Sequence, residues 1–527
     1  MSRLHLIYSC AFAMLCLSCT PKEESGEKHY APLKNPTKLS LEQEAFSAKV
    51  TVHWQDNCDN EAGYAVYLKA AGDSESSKIA DLPVDSQEYV IEEGLKQGAT
   101  YNIGVQAISA GPMLSSQVIS KEIALFDYTL LPSAFFRDEP EYTPTSVCFA
   151  YNFKNSADYP RTDWGLCWSS EHSPSLEDAS AHGPLASKVP IYQVLTAADL
   201  EYGKTYKVRA YVTCEKGTTY SEEVEVCLSE EPKEIVLNWT EISADYSLPE
   251  DVKLYKTTDK LNGRVFNAWY AIADVSKGNV EFRMEFSDKA KTLEDFYSEG
   301  NFIMTNAGYF NMSTGETGDF HAFEGTVFPS KAATTPRGTF GVDKDQKPQV
   351  CWAAKEASSG LVYFYDAPIA SITGKNNYDP ASENYPNPSH NWDPYYAMTA
   401  GPLLVKDGRI MIDLSSDGST LVRNYENIAP DIFSASLSPD RTTVGYTEDG
   451  KIILFVCDGR ITQSKGATIL EAAQIMKGLG CVGAVNFDGG GSTAMTVNGK
   501  RINSLLSNTS GGTENRKVGS VMGFYKK

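Results

Sequence analysis

Two stretches of the chain repeat one pattern of alternating hydrophobic and polar positions. The run Leu95–Tyr101 (LKQGATY) recurs as Leu200–Tyr206 (LEYGKTY), and each copy continues into an alternating segment, NIGVQAIS and KVRAYVTC. An apolar segment and a tryptophan precede each copy, Trp54 in the first and Trp164 in the second. Alternation with period two predicts half-buried strands. A repeat of domain length therefore predicts two similar all-β sandwiches in succession.

The leucine-glycine-threonine-tyrosine motif resembles the tyrosine corner of fibronectin type III domains. In that corner a buried tyrosine hydroxyl bonds back to the main chain and pins the turn between the two sheets. We therefore expect two fibronectin type III-like domains, at residues 43–125 and 126–230. Neither sequence contains a cluster of reactive side chains, so a spacer or docking role is predicted, with independent glycan binding as the alternative.

The hydrophobic pattern changes near the C-terminus. Ile452–Cys457 and Cys481–Phe487 are continuous apolar runs, as expected of strands buried on both faces. Between them Thr468 and Glu471 form a capping box, and apolar positions then recur at helical spacing. This β-α-β pattern predicts a right-handed crossover between two parallel strands. The fold class predicted for residues 231–527 is an α+β or α/β domain with a mixed sheet.

Both buried runs end in an aspartate-glycine turn, DGR at Asp458–Arg460 and DGGGS at Asp488–Ser492. Parallel strands place their carboxyl ends on one edge of a sheet, where ligands bind in open α/β folds. If the two strands are neighbours, they lie about 4.8 Å apart and the two carboxylates can approach one cleft, whereas one intervening strand would roughly double the separation. Either spacing lies near the range used by paired glycosidase carboxylates. The three glycines allow main-chain N–H groups to approach an anion closely.

Six short motifs in this region carry a resemblance to a known family. In chain order they are Asn306–Phe310 (NAGYF), Gly401–Leu403 (GPL), Pro439–Thr442 (PDRT), Val456–Arg460 (VCDGR), Asn486–Thr493 (NFDGGGST) and Asn515–Arg516 (NR). Together they resemble the phosphodiester glycosidase family, which includes the mannose 6-phosphate uncovering enzyme. The resemblance covers roughly residues 250–527. The family motif near Arg441 reads P-R-T, and here Asp440 stands between Pro439 and Arg441.

The resemblance implies a hydrolase that releases a sugar from a sugar-1-phosphodiester or a related glycan. The catalytic residues we predict are two aspartates and two arginines: Asp488, Asp458, Arg441 and Arg460. Guanidinium groups suit a phosphate leaving group because they bind it in a bidentate way. The predicted substrate-binding residues are Asn306, Gly308, Tyr309, Phe310, Gly489, Gly490, Gly491, Ser492, Thr493 and Arg516. Asp319 and Glu324 are reserve carboxylates. The alternative function is a non-catalytic glycan-binding surface lipoprotein.

Composition narrows the chemistry. The net charge of −21 disfavours nucleic acid as a partner. The resemblance implies a carbohydrate substrate, and we expect a monomeric protein. Residues 231–527 contain two histidines, His321 and His390, too few for a di-zinc phosphoesterase. We therefore predict no metal and no cofactor, although an Asp-bound Ca²⁺ or Mg²⁺ would suit the carboxylates.

Cysteine spacing points to thiols without metal or disulfide roles. After the first 20 residues the chain has cysteines at positions 58, 148, 167, 214, 227, 351, 457 and 481, and none forms a CxxC pair. This spacing disfavours a zinc ribbon. Most of these cysteines fall in apolar, strand-like runs, so we predict buried free thiols.

The N-terminal segment has the features of a bacterial lipoprotein leader. Leu6–Leu17 is apolar but too short to span a bilayer well. The tripeptide ending at Cys19 resembles a lipobox, with Cys16 where an aliphatic residue is usual. We predict a signal peptide at residues 1–18, lipidation of Cys19 and a flexible tether at residues 19–42. The following Lys-Glu-Glu resembles the surface-export signal of Bacteroidetes. It predicts an outer-membrane lipoprotein exposed on the surface of a Gram-negative cell, with a periplasm-facing anchor as the alternative.

Overall fold

The computed structural model describes most of the chain between residue 32 and the C-terminus. The described residues are 32–111, 113–184, 190–318, 320–328, 336–355, 360–367, 389–413, 426, 428, 439–507 and 513–527. The predicted signal peptide, Cys19 and the first part of the tether lie outside them. The chain forms two compact units, Met1–Leu130 and Leu131–Lys527.

The first unit contains two antiparallel sheets. Their strands are β1 (Thr37–Gln43), β2 (Val50–Gln55), β3 (Gly63–Ala70), β4 (Ser77–Leu82), β5 (Glu88–Ile91), β6 (Thr100–Ile108) and β7 (Ile119–Ala124). One sheet has the order β1-β2-β5 and the other β4-β3-β6-β7. Their inward residues, such as Val52, Tyr64 and Ile103, form one buried cluster. Alternating strands of this kind bury one face and leave the other polar, which is the physical basis of a sandwich.

The second unit begins with a further pair of sheets. Their strands are β8 (Ser133–Phe136), β9 (Glu141–Thr143), β10 (Ser146–Lys154), β11 (Asp163–Ser169), β12 (Ala179–His182), β13 (Ile191–Thr196), β14 (Thr205–Cys214), β15 (Gly217–Tyr220) and β16 (Val224–Cys227). One sheet has the order β13-β10-β8, with β9 also on β10, and the other has the order β12-β11-β14-β15, with β16 also on β14. Phe149, Trp168 and Val208 belong to the shared core.

Both sandwiches contain the hydrogen bond expected of a tyrosine corner. The hydroxyl of Tyr101 accepts the main-chain N–H of Lys96 at 3.0 Å, and that of Tyr206 accepts the N–H of Glu201 at 3.3 Å. Both tyrosines are buried. The repeated motif of the sequence therefore performs the same structural task in both copies.

The remainder of the second unit contains two α-helices and twenty-one strands among the described residues. The helices are α1 (Leu293–Phe296) and α2 (Ile469–Gly478). The first strands are β17 (Thr240–Glu241), β18 (Val252–Thr257), β19 (Ala268–Ala273), β20 (Val280–Lys291), β21 (Asn301–Asn306), β22 (His321–Phe323), β23 (Thr326–Phe328), β24 (Arg337–Val342), β25 (Pro348–Lys355) and β26 (Val362–Tyr365). The later strands are β27 (Tyr396–Thr399), β28 (Leu403–Lys406), β29 (Arg409–Ile410), β30 (Arg441–Thr447), β31 (Ile452–Cys457), β32 (Cys481–Asn486), β33 (Met495–Val497), β34 (Lys500–Arg501), β35 (Leu506–Ser507), β36 (Thr513–Glu514) and β37 (Val518–Lys526).

Three sheets share one large core in this region. Their strand orders are β17-β18-β19-β31-β30-β32-β28-β29, β20-β37-β21-β33-β34 and β23-β22-β27-β24-β25-β26, and β35 pairs with β36 separately. Leu454, Phe282 and Phe340, one from each large sheet, belong to the same buried cluster. Helix α2 packs against the opposite face of the eight-stranded sheet, in a second cluster with Ile453 and Ala484.

The centre of the eight-stranded sheet differs from the predicted mixed sheet. Strands β31 and β32 are parallel to each other, as predicted, but β30 lies between them and pairs antiparallel with both. Every pairing between named strands in the described part of the chain is antiparallel. The apolar runs predicted burial on both faces, and burial does not reveal which strand fills the space between two parallel ones.

The predicted capping box at the start of α2 is present. The Thr468 side chain accepts the N–H of Glu471, and the Glu471 carboxylate accepts the N–H of Thr468. Glu471 also forms an ion pair with Arg264. Its role is structural, as the sequence indicated. The eight cysteines of the described region are free thiols, and seven of them are buried. Within the described residues no helix has the length and apolar character to cross a membrane.

Candidate active site

One edge of the eight-stranded sheet gathers charged residues from three adjacent strands. Asp458 follows β31, Asp488 lies two residues beyond β32, and Asp440 with Arg441 stands at the start of β30 between them. The register pairs Arg441 with Cys457 and Thr443 with Asn486. Because β30 runs in the opposite direction, its beginning meets the ends of its two neighbours. The sheet order therefore corresponds to the wider of the two spacings that the sequence left open.

Main-chain hydrogen bonds hold the DGGGS turn in place. The N–H of Asp488 donates to the carbonyl of Ala307 at 3.1 Å, and the N–H of Gly490 donates to the carbonyl of Asp440 at 2.9 Å. The side-chain amide of Asn306 donates to the carbonyl of Asp488 at 2.6 Å. The turn is thus attached to two sheets at once, through β21 and β30.

Asn306 is a buried residue whose hydrogen bonds hold this turn in position. Its Oδ1 accepts hydrogen bonds from the Thr442 hydroxyl at 2.7 Å and from the N–H of Ala494 at 3.1 Å. Only 1% of the residue is exposed. The predicted sugar contact would require a free amide face, so the geometry favours a positioning role for Asn306 instead.

The rest of the NAGYF motif also lies close to the turn. A Cβ on Gly308 would stand 2.4 Å from the Met398 sulfur, so a larger residue would require the Met398 side chain to move. The Tyr309 hydroxyl donates to the carbonyl of Gly401 at 2.9 Å and joins the NAGYF and GPL motifs. Phe310 packs against a separate small core cluster.

The triple glycine makes room for two guanidinium groups. A Cβ on Gly490 would lie 2.8 Å from Arg460 Nη2, and a Cβ on Gly491 would lie 2.5 Å from Arg516 Cζ. Any larger residue would therefore have to displace an arginine. The sequence predicted that the glycines form an anion-binding turn. The structure adds that two arginine side chains lie close to the same turn.

Burial perturbs the carboxyl group of Asp488. Desolvation raises the pKa of Asp488 to about 6, against the opposing effects of the Ser492 hydroxyl and the Arg516 guanidinium. A carboxyl group with such a pKa can both donate and accept a proton near neutral pH. Ser492 and Thr493 are themselves almost fully buried.

Asp440 is a second perturbed carboxyl group at this edge. It is 3% exposed, and burial raises its pKa to about 6, with nearby Asp458 contributing and Arg460 opposing. Sequence reasoning treated Asp440 only as a departure from the P-R-T motif. Asp440 precedes Arg441 directly in the sequence. It could have been identified from that position if β30 had been expected to lie between the two strands that end in DG turns.

Arg441 is a buried cation with spare hydrogen-bonding capacity. It is 2% exposed, and its Nε donates to the carbonyl of Ala467 at 3.0 Å. Its Nη2 is buried and has no hydrogen-bond partner among the described residues. Burial lowers the pKa of Arg441. Asp488 raises the pKa of Tyr309 and Arg441 lowers it, so the three side chains share one electrostatic environment.

Asp458 occupies a different setting from Asp488. It has no exposed surface, and its Oδ1 accepts the N–H of Ser504 at 3.0 Å and the Asn503 amide at 3.3 Å. Burial raises the pKa of Asp458. Through Oδ1 the carboxylate joins the end of β31 to Asn503 and Ser504. A direct role in catalysis remains a prediction for this residue.

A buried glutamate and a partly buried arginine beside the GPL motif were not anticipated. The Glu426 carboxylate accepts the N–H groups of Gly338 and Leu403, both at 2.7 Å, and the Trp352 indole at 3.0 Å. The positive charge of Arg337 lowers the pKa of both Glu426 and Tyr309. Glu426 lies outside every recognised motif, so no sequence signal pointed to it.

Of the two reserve carboxylates, the described one, Glu324, is not part of this arrangement. Glu324 lies exposed in the turn between β22 and β23, and Asp319 lies outside the described residues. In the described part of residues 131–527 no three metal-ligating side chains converge.

Comparison with known proteins agrees with the motifs. Residues 300–525 match the phosphodiester glycosidase family model. The N-acetylglucosamine-1-phosphodiester alpha-N-acetylglucosaminidase of Mus musculus is 26% identical over 212 residues, covering 40% of this chain and 34% of the mouse protein. The Bos taurus protein of the same name is 30% identical over 212 residues, with the same coverage. The solved catalytic domain of the zebrafish protein of that name is 19% identical, with a TM-score of 0.34, covering 52% of this chain and 82% of that domain.

The predicted family is thus confirmed for residues 300–525, and the relatives are named as hydrolases of phosphodiester-linked sugars. The chain spans about a third of the length of these two curated relatives.

Proposed function

We propose that the phosphodiester glycosidase domain of this chain hydrolyses the bond between a sugar and the phosphate of a sugar-1-phosphodiester. The observation that carries the proposal is the buried Arg441 guanidinium at the same sheet edge as Asp488. Its Nη2 has no hydrogen-bond partner among the described residues. A buried cationic donor is costly unless a partner meets it, and a substrate phosphate supplies one.

The arginines suit the leaving group of this reaction. When the glycosidic C–O bond breaks, negative charge develops on a phosphate monoester. Arg441, Arg460 and Arg516 can stabilise that charge in the transition state, and the glycines of the DGGGS turn let two of them approach closely. Such a leaving group needs charge stabilisation more than it needs a strong acid.

Asp488 supplies the proton chemistry in this proposal. Burial raises its pKa to about 6, so both protonation states are accessible near neutral pH. Asn306 and Ala307 fix its main chain, and this leaves the carboxyl group as the reacting part. We assign Asp488 as the principal catalytic carboxyl group and Asp458 as its buried support.

The first substrate to test is an α-linked N-acetylglucosamine 1-phosphodiester, because this is the bond in the names of the curated relatives. We expect release of free N-acetylglucosamine, with or without EDTA. Asp488→Asn is the matched variant and should abolish most of the release. Folded wild-type protein that binds the diester without cleaving it would instead support a glycan-binding protein.

We also propose that the chain is a monomeric outer-membrane lipoprotein, attached through Cys19 and exposed at the cell surface. The leader and the Lys-Glu-Glu that follows it support this placement. The two sandwiches would then act as spacers that carry the catalytic domain away from the membrane. Protease treatment of intact cells should degrade an exposed protein, and full protection would contradict surface exposure.

A further inference from the structure

The loop between β2 and β3 in the first sandwich brings a thiol and two carboxylates together. One ligand atom each from Asp56, Cys58 and Glu61 lies within 4.8 Å of the other two. This is the single such group of His, Cys, Asp and Glu side chains among the described residues. The sequence had predicted no reactive cluster in this domain. The three residue types are spread over six positions and match no familiar metal motif.

The cluster has an unused ligand atom that is hidden from solvent. Cys58 is 8% exposed and Glu61 is 9% exposed. Glu61 uses Oε1 to accept the N–H of Asp85 at 3.1 Å, whereas its Oε2 is buried without a hydrogen-bond partner among the described residues. A buried carboxylate oxygen without a partner is unfavourable, and buried charges are normally paired or bound to a metal.

The surrounding contacts orient the other two groups. Asp56 Oδ1 accepts the Tyr64 hydroxyl and the N–H of Cys58, the latter at 2.8 Å. These bonds leave Asp56 Oδ2 for another partner and hold the carboxylate in place, as outer-shell hydrogen bonds do in metal sites. The Cys58 thiol donates to the carbonyl of Lys34 at 3.0 Å, so it remains protonated when no metal is bound.

We propose that Asp56, Cys58 and Glu61 form a binding site for a divalent metal ion of zinc type. A thiolate with two carboxylate oxygens and one water completes the four-coordinate shell that Zn²⁺ prefers. Ca²⁺ fits less well, because it takes six to eight oxygen ligands and has no preference for sulfur. On binding, the Cys58 S–H bond gives its proton to solvent and the sulfur bonds to the metal instead of donating to Lys34.

The site is separate from the proposed glycosidase chemistry. It lies in the first compact unit, whereas every residue of the candidate active site lies in the second. A metal there would fix the loop between β2 and β3 to the turn that contains Asp85, through the shared contact of Glu61. Its expected effect is therefore a higher melting temperature of the first sandwich, without a change in sugar release.

The test uses the full chain after removal of metal with EDTA. Calorimetric titration with ZnCl₂ should show one site, and Cys58→Ser or Glu61→Gln should weaken its affinity about tenfold or more. Asp59→Asn is the matched control, because it removes the same charge from an exposed position in the same loop. CaCl₂ should give no saturable signal at the same concentrations. Equal zinc affinity in wild type and both ligand variants would overturn the proposal.

Thiol protection provides a measurement that needs no variant. Alkylation of Cys58 in the wild-type chain, followed by mass spectrometry, should slow about tenfold or more when Zn²⁺ is present. Cys227, which is partly exposed in the other unit, should react at an unchanged rate. Alkylation of Cys58 at the same rate with and without zinc would also overturn the proposal. Melting of each variant in EDTA identifies any loss of affinity that comes from misfolding.

Discussion

Arg460 Nε lies 3.4 Å from Asp440 Oδ2, and this ion pair joins the DGR turn to the start of β30 beside the DGGGS turn. The two side chains differ in exposure: 46% of the Arg460 side chain is exposed, but only 4% of the Asp440 side chain. The buried carboxylate is therefore the fixed partner and the arginine is the movable one. Asp440 holds the guanidinium next to Gly490, where an anionic group can reach it.

This relationship predicts a specific result for Asp440→Asn. Arg460 should lose its fixed orientation, so KM for the phosphodiester should rise several-fold while kcat changes less. The effect should disappear in an Arg460→Ala background, because a positioning residue has nothing left to position. A neutral aryl glycoside, which places no charge near Arg460, is the control substrate. If Asp440→Asn raised KM by the same factor in the Arg460→Ala background as in wild type, Asp440 would act independently of Arg460.

The sequence predicted strand-rich structure and several local features well. The tyrosine corners and the capping box depend on residues close together in the chain, and the structure contains the expected hydrogen bonds. The parallel relation of β31 and β32 followed from the helix between them. The insertion of β30 did not, because its position depends on a pairing between distant parts of the chain.

The candidate site was predictable to a similar extent. Motif residues such as Asp488 and Arg441 do gather at one sheet edge. Exposure could not be predicted, and it separates the enclosed Asp458 from the more accessible Asp488. Asp440 and Glu426 were missed because their importance comes from burial and hydrogen bonding, and neither of these is visible in a single sequence.

Asp488→Asn and Arg441→Lys should affect different kinetic constants. Loss of the Asp488 carboxyl group should lower kcat by about 10²–10⁴-fold on any glycoside. Lysine keeps the charge of Arg441 but loses its two-pronged geometry, so KM for the phosphodiester should rise most. For a neutral aryl glycoside the Arg441 effect should shrink and the Asp488 effect should persist. Both variants should be compared with wild type on both substrates. Asp488→Asn activity within about threefold of wild type would make Asp488 a turn residue only.

Gly491→Ala should impair the site without unfolding the protein. The added Cβ would lie 2.5 Å from Arg516 Cζ, so the guanidinium must move away from the turn. We expect the phosphodiester kcat/KM to fall about tenfold or more, since one charge-stabilising donor is displaced. Gly111→Ala is the control, because apart from its chain neighbours no atom of the described residues lies within 4 Å of the position its Cβ would take. Wild-type kinetics of Gly491→Ala would show that Arg516 does not contribute from its observed position.

The raised pKa of Asp488 predicts how stability depends on pH. In the folded protein its pKa is about 6, above the usual aspartate value of 3.8, so folding favours the protonated form. The group therefore costs nothing below pH 3.8, and its destabilising effect grows as pH rises from about 4 to 6.

Replacement by asparagine removes this cost. Asp488→Asn should be more stable than wild type at pH 7, by about 1–3 kcal/mol, since each pKa unit corresponds to about 1.4 kcal/mol. The difference should narrow at pH 5 and vanish near pH 4. Denaturant unfolding of both proteins at these three pH values measures it directly. A variant that is less stable than wild type at pH 7 would mean that the ionised carboxylate is stabilised by its neighbours, the Ser492 hydroxyl and the Arg516 guanidinium.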